Sequence, residues 1–208
     1  MFEKSEYMKS VENSIRQKIW KMRKGSILFS DDFLSLGTRP TVSKALGELV
    51  KESLIIRLAP GIYCKPEKDE VFGLGILYPG IDQIAQAIAA RDKSEIVPTG
   101  VYAQNRLGLS TQIPMNAVYL TNGSSRRIKI YNCKGILFKR VSPKTFQFRN
   151  KMALMLTLAL KDIGEGNVTP EQKDILRKII NKESKQSLIQ DYVLMPDWIR
   201  TLIESLYD

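Results

Sequence analysis

The sequence predicts an α+β chain in two domains, and three observations carry that reading. Helical periodicity dominates the first 51 residues and the stretch after residue 142, while most strand-like runs collect at 54–65 and 95–141. A polar stretch, Pro66 to Val71, separates two apolar-patterned segments. The 208 residues are 43 % hydrophobic and 26 % charged, enough apolar material for two small cores and too much for disorder. The expected boundaries are 1–68 for a helical domain with a hairpin and 71–208 for a mixed α/β domain with a helical C-terminal tail.

In the first domain, Val11, Ile15, Ile19 and Met22 recur at helical spacing until Gly25. Ser26 to Phe29 reads as a short strand. Ser30 is a suitable N-cap for a short helix, with Asp31 and Asp32 facing its dipole, and Gly37 stops it. Thr38 can cap the next helix, with Pro40 in its first turn. Val42, Ala45, Leu46, Leu49 and Val50 form one apolar stripe on that helix. Its other face shows Arg39, Thr41, Ser43, Lys44, Gly47, Glu48 and Lys51. Leu54 to Leu58 and Ile62 to Lys65 make two strands around the turn Ala59-Pro60-Gly61.

Two helices joined by a tight turn and followed by a hairpin describe a winged helix-turn-helix. Its second helix needs an outer face of short polar and basic side chains that enters a major groove. Residues 38–51 meet that requirement. The candidate DNA-binding residues are therefore Arg39, Thr41, Ser43 and Lys44 on the helix, with Arg57, Tyr63 and Lys65 on the hairpin near flanking phosphates. Neutralising about five phosphates predicts a slope of log K against log salt of roughly −4 to −5. The competing reading is a winged helix that binds protein only.

The second domain opens with a helical stripe, Ile81, Ile84, Ala85, Ile88 and Ala89. Glu95 to Val97 reads as a strand ended by Pro98, and Tyr102 to Leu107 as a short helix. Ala117 to Thr121, Ile128 to Tyr131 and Ile136 to Val141 read as strands, with Asn122-Gly123 as a turn. Ser142-Pro143 is expected to start a helix running through Met152 to Leu160 and ending at Gly164. Thr169-Pro170-Glu171-Gln172 is a capping box, and Ile175, Ile179 and Ile180 line the inner side of the helix it opens. A last helix follows Pro196 with Trp198, Ile199, Leu202, Ile203 and Leu206.

Net charge is +10, from 32 basic and 22 acidic residues. Residues 71–146 hold most of the excess, with 10 basic and 3 acidic side chains. Such a balance favours polyanions, most simply nucleic acid. Between Ser124 and Thr145 the chain carries Arg126, Arg127, Lys129, Lys134, Lys139, Arg140 and Lys144 and no acid. Arg126, Arg127, Lys129, Lys139 and Arg140 are candidates for a phosphate-binding or partner-binding face; a solvated hairpin with protected edges is the alternative.

The chain contains no histidine, which excludes Ser-His-Asp and Cys-His catalysis and His-containing zinc sites. Cys64 and Cys133 read as reduced core thiols, in keeping with a cytoplasmic protein. No apolar run reaches membrane-spanning length. No phosphate loop of the G-x-x-x-x-G-K-S/T kind is present, and Gly73-Leu74-Gly75 is too short for one. A metal-dependent nuclease would rest on Asp92 and Glu95, and no second acidic strand supports them. No catalytic residue, metal, cofactor or small-molecule substrate is expected.

Gly100-Val101-Tyr102-Ala103-Gln104-Asn105-Arg106-Leu107-Gly108-Leu109-Ser110-Thr111-Gln112, then Val118 to Gly123, then Ser125-Arg126-Arg127-Ile128-Lys129-Ile130 resemble the AbiEi-type antitoxins. Arg57-Leu58-Ala59-Pro60-Gly61-Ile62-Tyr63 extends the resemblance to the wing, so it covers roughly residues 10–145. The resemblance implies a transcriptional repressor of its own operon. Its second domain would counter a nucleotidyltransferase-like toxin from a bacterial abortive-infection toxin–antitoxin pair.

Overall fold

Val11, Ile15 and Ile19 form the buried stripe of α1 (Phe2–Trp20). They meet Val42, Ala45, Leu46 and Leu49 of α2 (Arg39–Lys51), and both stripes close on Leu28, Phe33, Ile55 and Tyr63. Each large aliphatic side chain buried this way contributes about 1.5–3 kcal/mol. In this computed structural model the described residues are 2–69, 73, 75–130 and 135–207, with side chains from residue 10 onward. Cys133, Lys134, Val71, Leu74 and Tyr131 lie outside them.

The chain is mixed α and β and divides into two compact units: residues 1–87 with 129–132, and residues 88–128 with 133–208. The first unit thus extends past the expected limit at residue 68. Between α1 and α2 come β1 (Ile27–Phe29) and a 3₁₀ turn, Ser30–Phe33. The turn differs from the expected Ser30-capped helix. Its N-cap is Phe29, whose N–H donates to Asp32 Oδ2 at 2.8 Å. After α2 the strands β2 (Ile56–Ala59) and β3 (Ile62–Cys64) follow, and the antiparallel sheet runs β1-β3-β2. Leu28 and Arg57 both stand opposite Tyr63, and β2 carries a bulge between Arg57 and Ala59.

The polar stretch after β3 is not a linker. β4 (Glu67–Asp69) pairs antiparallel with β5 (Gly75–Leu77). Backbone pairing needs no apolar side chains, and Gly73 and Gly75, at φ +69° and +74°, allow the chain to reverse. α3 (Ile81–Arg91) spans the division between the units, with Ile84, Ala85, Ile88 and Ala89 buried.

The second unit holds β6 (Ile96–Pro98), α4 (Gly100–Arg106), β7 (Asn116–Thr121), β8 (Arg126–Lys129) except for its Lys129, and β9 (Gly135–Arg140). The sheet order is β6-β7-β9-β8, so β9 enters parallel to β7 and separates it from β8. Pro98 lies inside β6, opposite Tyr119, because an edge strand tolerates the missing N–H. β8 starts two residues earlier than its apolar pattern suggests.

Ser142-Pro143 opens only a 3₁₀ turn, Pro143–Phe146. α5 (Lys151–Ile163) has its own start, because Asn150 Oδ1 accepts the N–H groups of Met152 and Ala153. α6 (Pro170–Ile180) begins at the capping box of Thr169 and Gln172, followed by α7 (Lys185–Ile189) and α8 (Asp197–Ser205). These helices and α4 share one core around Leu156, Leu160, Leu176, Ile180, Leu188, Ile199 and Ile203. Among the described residues no helix is long and apolar enough to cross a membrane.

Candidate nucleic-acid interface

The position of α2 is set by its buried stripe and by a clamp at its far end. Leu46 and Leu49 are fully buried. Arg16 of α1 donates to both Glu52 carboxylate oxygens, at 2.6 and 3.0 Å, and to Glu12 at 2.8 Å. The guanidinium holds the Glu52 carboxyl below the usual carboxylate range. At the near end, Lys18 Nζ donates to Asp32 O at 2.6 Å and lies 5.1 Å from the centre of the Phe33 ring. These contacts leave the opposite face of α2 outward.

On that face Arg39, Ser43 and Lys44 are exposed, and Thr41 is half-buried. A Cβ at Gly47 would meet nothing within 4 Å, so the helix surface is bare there. Arg39 pairs with Asp31 at 3.4 Å; an exposed pair of this kind is worth little and can be exchanged for a phosphate. Thr38 Oγ1 shares a 2.9 Å hydrogen bond with Thr41 Oγ1 and makes no side-chain cap to the backbone. Among the described residues, the first turn of α2 carries no acid.

The hairpin keeps one of its three candidates outward. Arg57 is exposed on β2. Tyr63 is only 5 % exposed and belongs to the core of the first unit, in the same cluster as the buried stripes of α1 and α2. Lys65 is engaged within the chain: its Nζ donates to Trp20 O at 2.8 Å and Met22 O at 2.7 Å. It closes the C-terminal end of α1, where free carbonyls and the helix dipole attract a cation. Neither Tyr63 nor Lys65 stands in position to meet a phosphate.

The basic stretch of the second unit is split between two faces. Arg126 pairs with Asp92 and lies over the Phe138 ring, 5.4 Å from its centre. Burial raises the Asp92 carboxyl, but hydrogen bonds from Arg91 and Arg126 outweigh it and hold the group low. Arg127 and Lys129 alternate with Arg126 along β8 and are exposed. Lys139 alternates with Phe138, so it falls on the same side as Arg127. Arg140 is exposed and its N–H donates to Ser125 Oγ at 2.8 Å. Glu95 accepts from Asn122 Nδ2 at 3.1 Å, so both acids of the nuclease reading are occupied by neighbours. No group of three Cys, Asp or Glu side chains able to hold a metal occurs among the described residues.

The stretch 100–112 is architectural where its contacts are visible. Gly108 ends α4 at φ +73°, its neighbours Leu107 and Leu109 are buried, and Leu109 O accepts from Gln172 Nε2 at 2.8 Å. Two features had no signal in the sequence: the Asp92–Arg126 pair, 34 residues apart, and the 76 % exposure of Trp20.

Fold and site together define a two-unit α+β protein with an exposed basic helix face on the first unit. The chain belongs to DUF6088, described as a family of unknown function, whose model matches residues 14–188. No curated protein matches it in sequence. Among solved structures it is similar to the crystal structure of the RV2827C protein from Mycobacterium tuberculosis. That likeness covers 96 % of this chain and 77 % of the other at 13 % identity, with a TM-score of 0.47.

Proposed function

We propose that this chain is a DNA-binding transcriptional regulator whose first unit is a winged helix, with α2 as the recognition helix and the β2–β3 hairpin as the wing. One observation carries the reading. The order α1-β1-turn-α2-β2-β3 with sheet order β1-β3-β2 buries one stripe of α2 and leaves Arg39, Ser43, Lys44 and bare Gly47 facing out. Short polar and basic side chains around a glycine fit the requirement of a helix entering a major groove. Exposed Arg57 supplies a flanking phosphate contact. The proposed partner is the promoter of its own gene. The further role as an antitoxin against a nucleotidyltransferase-like toxin rests on the family resemblance alone.

The test is fluorescence anisotropy with duplexes tiled across the DNA upstream of the gene. Replacing Arg39 and Lys44 by Ala is expected to weaken the best duplex by about 1–3 kcal/mol for each base whose hydrogen bonds to the side chain are removed. Melting should hardly change, since both side chains are on the exposed face. Undiminished binding by the double variant would refute α2 as the reading element, and no preference among duplexes would refute specific recognition.

A further inference from the structure

Behind the recognition face, the ends of α1 and α2 and the segment after β3 enclose a half-open hollow of about 280 Å³. Its wall is apolar, with Ile19, Leu49, Leu54 and Pro66, and the Trp20 ring stands at it. Trp20 is 76 % exposed, the largest side chain left in water in the first unit among the described residues. An indole beside an unfilled apolar hollow leaves surface from which water is readily displaced.

The charged side chains that line the hollow are all basic. Arg16, Lys24 and Lys65 line it, and no acidic side chain does. Two of these cations are already matched: Arg16 by Glu52 and Glu12, Lys65 by the carbonyls of Trp20 and Met22. Lys24 is exposed and has no ion pair among the described residues. We propose that this hollow is a binding site for a small amphipathic carboxylate, its apolar body against Leu54 and Trp20 and its carboxylate at Lys24. The volume sits at the lower end of small-molecule sites, which limits the body to a single ring or a short aliphatic tail. The site is separate from the exposed face of α2, and it stands whether or not that face binds DNA.

The test uses the 208-residue chain, no DNA, and 4-phenylbutyrate with its uncharged amide as probes. Calorimetry is expected to show saturable binding of the carboxylate and weaker binding of the amide. Tryptophan emission should shift in the wild type and stay constant in W20F, where Trp198 is the only reporter. Lys24→Glu is expected to weaken the carboxylate by about three- to fivefold, the size of one exposed charge contact, and to leave the amide unchanged. Leu54→Phe, which fills the hollow, should abolish binding of both. Equal binding of acid and amide would overturn the carboxylate assignment. Absence of binding at millimolar probe would overturn the site, as would sedimentation showing a dimer that Leu54→Phe dissociates.

Discussion

Ser53 and Lys93 adopt left-handed backbone, at φ +58° and +51°, and both do so for the same reason. Each follows the C-cap of a helix. Ser53 N–H donates to Val50 O and Leu54 N–H to Leu49 O; Lys93 N–H donates to Ala90 O and Ser94 N–H to Ala89 O. This pair of bonds satisfies the last carbonyls of α2 and α3 and forces the residue between them into a region that suits glycine. Gly108 occupies the equivalent place after α4. Ser53→Gly and Lys93→Gly are each expected to raise stability by about 0.5–1 kcal/mol, with relief of strain partly offset by unfolded-chain entropy. Urea denaturation checks this, and a loss of stability in both would contradict it. Cys64 supplies a pH prediction. It is fully buried, and burial first, with Glu67 second, pushes its thiol up to about 11. Above pH 9 the unfolded chain releases this proton while the folded one retains it. The Cys64 contribution is therefore complete below pH 9 and is lost as pH rises towards 11. Wild type should lose about 2–3 kcal/mol more than Cys64→Ala over that interval. Parallel curves for the two proteins would contradict the assignment.

At the level of elements, the start of α5 depends on a residue 41 positions away. Asp191 is 1 % exposed, and its two carboxylate oxygens accept the N–H groups of Arg149 and Asn150 at 2.9 and 2.8 Å. The Asn150 side chain then caps α5 and also donates to Glu183 and Ser187. A buried carboxylate receiving two backbone donors anchors the segment between the 3₁₀ turn and α5. Asp191→Ala is expected to cost about 3 kcal/mol, since it strands two buried N–H groups, and Asp191→Asn about half of that. A loss under about 1 kcal/mol in Asp191→Ala, read from denaturant midpoints, would show that the anchor is dispensable. The sheet of the second unit makes a related point. Asn122-Gly123 does turn the chain, yet the strands on either side of it are not neighbours. Glu95 N–H donates to Asn122 Oδ1 at 2.8 Å, tying the turn to the β6 side instead.

For the whole molecule, the net charge of +10 overstates what is available to a polyanion. Lys65, Arg126 and Arg16 are bound within the chain. Of the cations expected from sequence to meet DNA on the proposed winged helix, Arg39, Lys44 and Arg57 are exposed and Lys65 is not. Under the DNA reading, log K should fall against log salt with a slope of roughly −3, shallower than the −4 to −5 of five phosphate contacts. Titration at several salt concentrations measures it. A slope near zero would separate the charge from DNA altogether, and one beyond about −5 would require further exposed cations beyond these three.

The sequence by itself determined the elements whose signals are local. The stripe Val42–Ala45–Leu46–Leu49 defined α2, and the Thr169–Gln172 box marked the start of α6. In each case periodicity or a cap acts within a few residues, so the pattern is present in the chain before it folds. The outward placement of Arg39, Ser43 and Lys44 followed from the same stripe, because burying one helix face exposes the other. Only the tertiary structure decided the rest. Tyr63 went inward and Lys65 became a helix cap because α1 lies where it does, more than forty residues away in sequence. β9 separated β8 from β7, and Asp92 claimed Arg126, through pairings that no local pattern encodes. The hollow beside Trp20 is of the same kind. It forms where three segments meet, and no one of them carries its shape.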